Sequence, residues 1–154
     1  MPVKKRTSTL AQSFRAAANG LKIAIVDERN MRIHLSVALY VIIFGFIGQI
    51  DLEQWAIVFI CFSAVLAAEL INSAVERLCD LVEPEFNRDI GIIKDLSSGA
   101  VLVAAICSAV AGLIIFLSPD ILRNVISLLL TFPWVAVCIA VSFVPVMFFI
   151  LPKR

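Results

Sequence analysis

Residues 69–80 read ELINSAVERLCD, and this stretch decides the fold because it carries an apolar run into a charged one without a helix breaker. The fourteen residues before it, 55–68, hold no charge. At 100° per residue, Glu69, Asn72, Glu76 and Asp80 fall within about 80° of one another on a helix, with Ser73 beside them. Leu70, Ile71, Val75 and Leu78 take the other faces. Leu81 and Val82 extend the helix, and Pro84 limits it. Glu69 stands roughly 22 Å along a span that begins near Gln54, toward one edge of the hydrocarbon core. A carboxylate at that depth costs on the order of a few kcal/mol and needs a partner, a proton or a cation. Several acids on one face repel one another unless a cation sits among them. Hard oxygen ligands without a His or Cys cluster suit Mg²⁺ better than Zn²⁺. Spacing alone leaves three readings open: acids that solvate a protruding helix end, a proton relay or ion-binding bundle, and a phosphoryl-transfer site.

The rest of the chain supplies a membrane context. Of its 154 residues, 61% are apolar and 16% charged, with a mean hydropathy of +1.00, against roughly 45–50% and 25% in soluble domains. Three further apolar runs cover 33–49, 100–117 and about 125–151, each near the 17–25 residues that cross a bilayer. Four spans place both chain ends on one side. With that side cytoplasmic, the Lys/Arg-bearing segments 1–32, 77–94 and 153–154 lie inside and only Arg123 faces out, as the positive-inside rule requires. The expectation is a multi-pass membrane protein with cytoplasmic N- and C-termini. No apolar h-region of a signal peptide lies within the first 30 residues. A net charge of +1 with no dominant basic face argues against nucleic acid as a partner.

Between residues 10 and 26 the apolar positions Leu10, Phe14, Ala17, Ala18, Leu21 and Ile25 recur at three- and four-residue steps, while Gln12, Arg15, Asn19 and Lys22 take other faces. This pattern predicts an amphipathic helix on the membrane surface. Cys61, Cys79, Cys107 and Cys138 stand singly, without metal-ligand spacing, and are expected as reduced thiols. Small residues enrich the third span, among them Ser97, Ser98, Gly99, Ala104, Ala105 and Gly112, and permit close helix approach.

The pattern ExxNSxxExxxD at 69–80 closely resembles the signature of the prokaryotic diacylglycerol kinase and undecaprenol kinase family. Upstream, FRAAANGLKIAIVDERNMRIHLSVA at 14–38 is similar to that family's surface helix leading into its first span. Its Glu28, Arg29, Asn30, Arg32 and His34 resemble the undecaprenol branch. Downstream, GIIKDLSSGAVL at 91–102 resembles the family's KD motif entering the third span. The spacings between the pieces fit without gaps over about residues 10–117. The resemblance implies an all-α integral-membrane enzyme, a homotrimer, that moves the γ-phosphoryl of ATP to a membrane lipid hydroxyl with Mg²⁺. Undecaprenol is the favoured acceptor and diacylglycerol the next. By position, Glu69 is implied as general base, Asn72 as the group that positions the reactants, and Glu28 and Glu76 as metal ligands on the phosphates. Lys94 and Asp95 are implied at the nucleotide with Glu85, Phe86 and Asn87 beside it, Ser98 near the lipid, and Asp80 in support. No Walker loop is present, so the nucleotide must be held by carboxylates, metal and the cytoplasmic loop.

The sequence departs from the family pattern in places. Cys79 stands where Val is usual, Thr9 and Ala16 stand near positions that are basic and aromatic in some members, His34 replaces a carboxylate of the diacylglycerol branch, and Asn87 stands where His is common. The largest departure is residues 118–154, with Pro119, Pro133 and Pro145 in an apolar stretch. Pro133 and Pro145 are expected to kink or break the helix. The expected organisation is therefore a cytoplasmic surface helix at 1–32, a three-span catalytic core at 33–117, and an additional C-terminal membrane segment at 118–154 that packs at the periphery.

Overall fold

The computed structural model describes residues 9–85 and 87–151. The fold is all-α, with six helices among the described residues: α1 (Leu10–Asp27), α2 (Arg29–Gly48), α3 (Leu52–Val82), α4 (Arg88–Phe116), α5 (Pro119–Thr131) and α6 (Pro133–Ile150). Helices α2, α3, α4 and α6 are long and apolar enough to cross a membrane.

Helix α1 starts where Thr9 can cap it. The Thr9 hydroxyl accepts from the Gln12 backbone N–H at 3.4 Å, and the Gln12 side chain accepts from the Thr9 N–H at 3.1 Å. Most of α1 is exposed and only Ala24 is buried, as suits a helix lying on a surface rather than in a core. Glu28 alone separates α1 from α2, in an extended conformation. Arg32, 3% exposed, folds back across this joint. Its Nη1 donates to the carbonyls of Val26 at 2.6 Å and Ile25 at 3.3 Å, which the end of α1 leaves without helical partners.

Helix α3 is capped by Asp51, whose carboxylate accepts from the Gln54 N–H at 2.8 Å. Its 31 residues make about 46 Å of helix, well beyond the roughly 30 Å hydrocarbon core. The excess lies at the C-terminal end, where the charges are. Asn87 caps α4 by accepting from the Asp89 N–H at 2.9 Å. Helices α3 and α4 form a long antiparallel hairpin, in whose far half the Ser108 hydroxyl donates to the Ala104 carbonyl at 2.8 Å and lies 3.4 Å from the Cys61 carbonyl across the seam. All four cysteines are free thiols.

At the end of the bundle away from the 83–87 loop, Ile50, Val58, Ile115 and Ile121 form an apolar cluster, with Trp55 and Phe62 packed on it. Two glycines on α2 make this packing possible. A Cβ at Gly45 would stand 2.7 Å from the Trp55 ring, and one at Gly48 2.6 Å from Ile121 Cγ2.

The C-terminal segment differs from a single fourth span over about 125–151. It is broken at Phe132, the last residue whose N–H reaches back into α5, to Leu128 O at 2.8 Å. Pro133 has no N–H with which to continue the ladder and instead opens α6. The 13 residues of α5 make about 20 Å, too short to cross. Pro145 lies inside α6 without ending it. Both helices pack on α2. Asn124 Nδ2 donates to Gly48 O at 2.9 Å, Tyr40 and Ser142 share a hydrogen bond at 3.0 Å, and the Tyr40 ring stacks on Phe143 with centroids 4.5 Å apart.

Candidate active site

The stripe on α3 grades from buried to exposed as it leaves the membrane. Glu69 is 1% exposed and Asn72 4%, Glu76 is half-buried, and the Asp80 side chain is 67% exposed. Ser73, buried beside them, donates to the Glu69 backbone carbonyl at 2.9 Å, a bond within the helix that leaves the Glu69 side chain free. The Glu69 carboxyl is crowded by the carboxylates of Glu76 and Glu28, which repel a charge on it, and Asn30 of α2 stands near it. Glu69 Oε2 has no hydrogen-bond partner. A buried carboxylate oxygen with an open lone pair is costly to keep, and such atoms belong where a proton or a substrate group arrives.

The fold therefore brings together residues far apart in sequence. Glu28 reaches the stripe because it is the one-residue joint between α1 and α2. Arg77 of α3 binds that joint, with Nη2 at 2.9 Å from Asp27 and 3.1 Å from Glu28. Asn72 Nδ2 donates to Glu76 Oε1 at 2.8 Å. Lys94 of α4 pairs with Asp80 at 2.5 Å, so its ammonium sits at the mouth of the acidic stripe.

Other expected residues are less tightly gathered. Asp95 and Ser98 lie on the exposed side of α4, and the Ser98 hydroxyl donates to the Asp95 carbonyl at 3.0 Å. Glu85 is exposed in the loop, and Asn87 serves as the cap of α4. Phe86 lies outside the described residues. Three polar residues near the stripe have no role that the sequence pattern implies: Ser97, Asn30 and Arg77. Ser97 Oγ lies 2.6 Å from Asn72 Oδ1. Its position three residues after Lys94 places it on the Lys94 face of α4, which is the one signal that points to it.

Among the described residues no group of three or more His, Cys, Asp or Glu side chains stands ready to hold a metal. A closed all-protein cage is thus absent among them. Mg²⁺ seldom uses one; it takes one or two carboxylates and completes its shell with phosphates and water. Glu28 and Glu76 near the open Glu69 oxygen fit that mode. Deeper in the membrane, an apolar cleft of about 590 Å³ opens between α2, α3 and α4. Half-buried His34 lines it, as does Val65, one helical turn from Glu69.

Comparison with known proteins decides the family. The profile of the prokaryotic diacylglycerol kinase family matches residues 15–116. This chain belongs to that family. It is an enzyme of the lipid-kinase class and a multi-pass membrane protein. Among its relatives, the undecaprenol kinase of Bacillus subtilis (strain 168) is 34% identical over 106 residues, which cover 69% of this chain and 86% of that protein. The diacylglycerol kinase of Synechocystis sp. is 32% identical over 111 residues, 71% of this chain and 63% of that one. The diacylglycerol kinase of Helicobacter pylori (strain 26695) is 30% identical over 106 residues, 68% and 82%. No solved structure matches. The family profile ends at the C-terminus of α4, so α5 and α6 lie outside it.

Proposed function

We propose that this chain transfers the γ-phosphoryl of ATP to the hydroxyl of a membrane lipid, with undecaprenol favoured over diacylglycerol and Mg²⁺ required. The observation that carries the reading is the buried Glu69 carboxyl with one oxygen unpartnered, beside Glu28 and Glu76 at the membrane edge of a charged face. A lipid hydroxyl is a weak acid, so a base must accept its proton as its oxygen bonds to the γ-phosphorus and the bond to the β-phosphate bridging oxygen breaks. Glu69 takes that proton. Asn72 holds Glu76 in place and orients the reacting groups. Glu28 and Glu76 would hold Mg²⁺, which, when bound, neutralises charge on the phosphates.

The Lys94 ammonium supplies a fixed positive charge for the transferring group. Asp95, Glu85, Phe86 and Asn87 contribute to nucleotide binding, Ser98 stands near the lipid, and Asp80 supports Lys94. The cleft beneath Glu69 is apolar enough for the acceptor's tail. Undecaprenol is favoured by the ERNMRIH stretch at 28–34 and by the extent of the likeness to the Bacillus subtilis undecaprenol kinase. The reading includes a homotrimer in a bacterial inner membrane with both termini cytoplasmic, in keeping with the Lys/Arg distribution and the four spans.

Transfer of label from γ-labelled ATP to a panel of polyprenols and diacylglycerols tests it. The expected result is a Mg²⁺-dependent phospholipid, most abundant with undecaprenol; no labelled product with any lipid would overturn the reading. Cross-linking of the full chain in membranes checks the trimer.

A further inference from the structure

We infer that Ser97 is a positioning residue that locks Asn72, and through it Glu76, onto the turn of α4 that carries Lys94; this rests on the phosphoryl-transfer reading above. The Asn72 side chain is buried and both its polar atoms are engaged. Oδ1 accepts from Ser97 Oγ at 2.6 Å, and Nδ2 donates to Glu76 Oε1 at 2.8 Å. A carboxamide offers an acceptor on one side and donors on the other. A hydroxyl donating to Oδ1 therefore favours the orientation that turns Nδ2 toward Glu76, whereas the flipped amide would set Oδ1 against a carboxylate.

Ser97 Oγ also lies 2.9 Å from the Lys94 carbonyl. A serine hydroxyl has one proton, and the shorter contact with Asn72 has the better claim on it. One turn of α4 thus meets the α3 stripe at two points. Ser97 meets Asn72, and the Lys94 ammonium meets Asp80 at 2.5 Å. The carboxylate assigned to the metal and the cation assigned to the phosphates are kept in register by one small side chain that touches neither substrate.

The test is steady-state kinetics of the full chain in lipid vesicles, with undecaprenol, or with diacylglycerol if that is the lipid accepted. Replacing Ser97 by Ala leaves Asn72 Oδ1 buried without a donor. The KM for Mg²⁺–ATP is expected to rise about five-fold, the factor that loss of one net hydrogen bond gives, with the KM for lipid unchanged. Ser97→Thr keeps the hydroxyl and is expected to restore the parent value. Where Ser97→Ala does not fold, Ser97→Cys, a weaker donor, replaces it with the same expected direction. A serine that only packs would lower the thermal midpoint or the active fraction and leave the nucleotide KM unmoved. That outcome, or a folded Ser97→Thr that fails to restore the KM, overturns the inference. A parent chain that phosphorylates no lipid overturns the function reading instead.

Discussion

The two ends of the α3–α4 hairpin are built on opposite terms. At one end the buried residues are polar: Glu69, Asn72 and Ser73, with Ser97 half-buried against them. At the other end they are Ile50, Val58, Ile115 and Ile121, a dry cluster sealed by close approach at Gly45 and Gly48. The polar end carries an unpartnered carboxylate oxygen and crowds negative charge around it. Neither feature stabilises a fold. The apolar end contains nothing that reacts. Stability and chemistry thus lie at opposite ends of the hairpin, and substitutions at the two ends should fail in different assays.

The largest expected effect is at Glu69. Glu69→Gln preserves shape and removes the proton acceptor, so transfer to lipid should fall by about 10²–10⁴-fold. The thermal midpoint in detergent should hold or rise, because a buried charge is replaced by a neutral amide. A Glu69→Gln protein with full activity would remove the assigned base. Next comes Glu76→Gln, which keeps the length of the side chain and loses a charge. Activity at fixed Mg²⁺ should drop by at least the ten- to hundred-fold that even supporting residues of metal sites cost. Titration should show a higher Mg²⁺ requirement, and an unaltered requirement would remove Glu76 from the metal.

At the apolar end the order reverses. Ile121→Ala takes a buried side chain from the contact with Gly48. It should cost about 2–4 kcal/mol of stability, read as a lower thermal midpoint in detergent. Activity per folded molecule should stay at the parent level. A loss of turnover in folded protein would show that α5 communicates with the site.

How much of this was readable in the residues differs between the same two ends. The α3 stripe was legible because a helix repeats at 100° and its acids keep that phase from Glu69 to Asp80. Glu28 was not legible from spacing. It reaches the stripe only because α1 and α2 meet at a single extended residue, a long-range fact that entered through the family resemblance. In the sequence Ser97 is one small residue among many, since a serine's hydroxyl and its size give the same letter. In the tail, Val125 and Leu128 to Leu130 belong to α5, yet their hydropathy merges with that of α6. An average over a window does not register the missing N–H of Pro133, which ends one helix and begins the next.

The smallest effect is expected where the tail meets the first span. Tyr40 touches α6 in two ways: its hydroxyl shares a 3.0 Å hydrogen bond with Ser142, and its ring stacks on Phe143 at 4.5 Å. Tyr40→Phe removes the first and keeps the second. The Ser142 hydroxyl already donates to the Ile139 carbonyl at 2.6 Å, so it is not left without a partner when the phenol goes. The loss should therefore sit near the low end of the 0.5–1.5 kcal/mol a net hydrogen bond contributes, with activity unaltered. Tyr40→Ala removes the stacked ring as well and should cost more, by an increment measured in the same unfolding assay. If the two variants are equally destabilised, the ring contact contributes nothing, and the hydroxyl alone fastens α6 to α2. Equal stability of Tyr40→Phe and the parent would assign the contact to the aromatic pair, which would make this junction apolar in energy as well as in composition, like the rest of its end of the molecule.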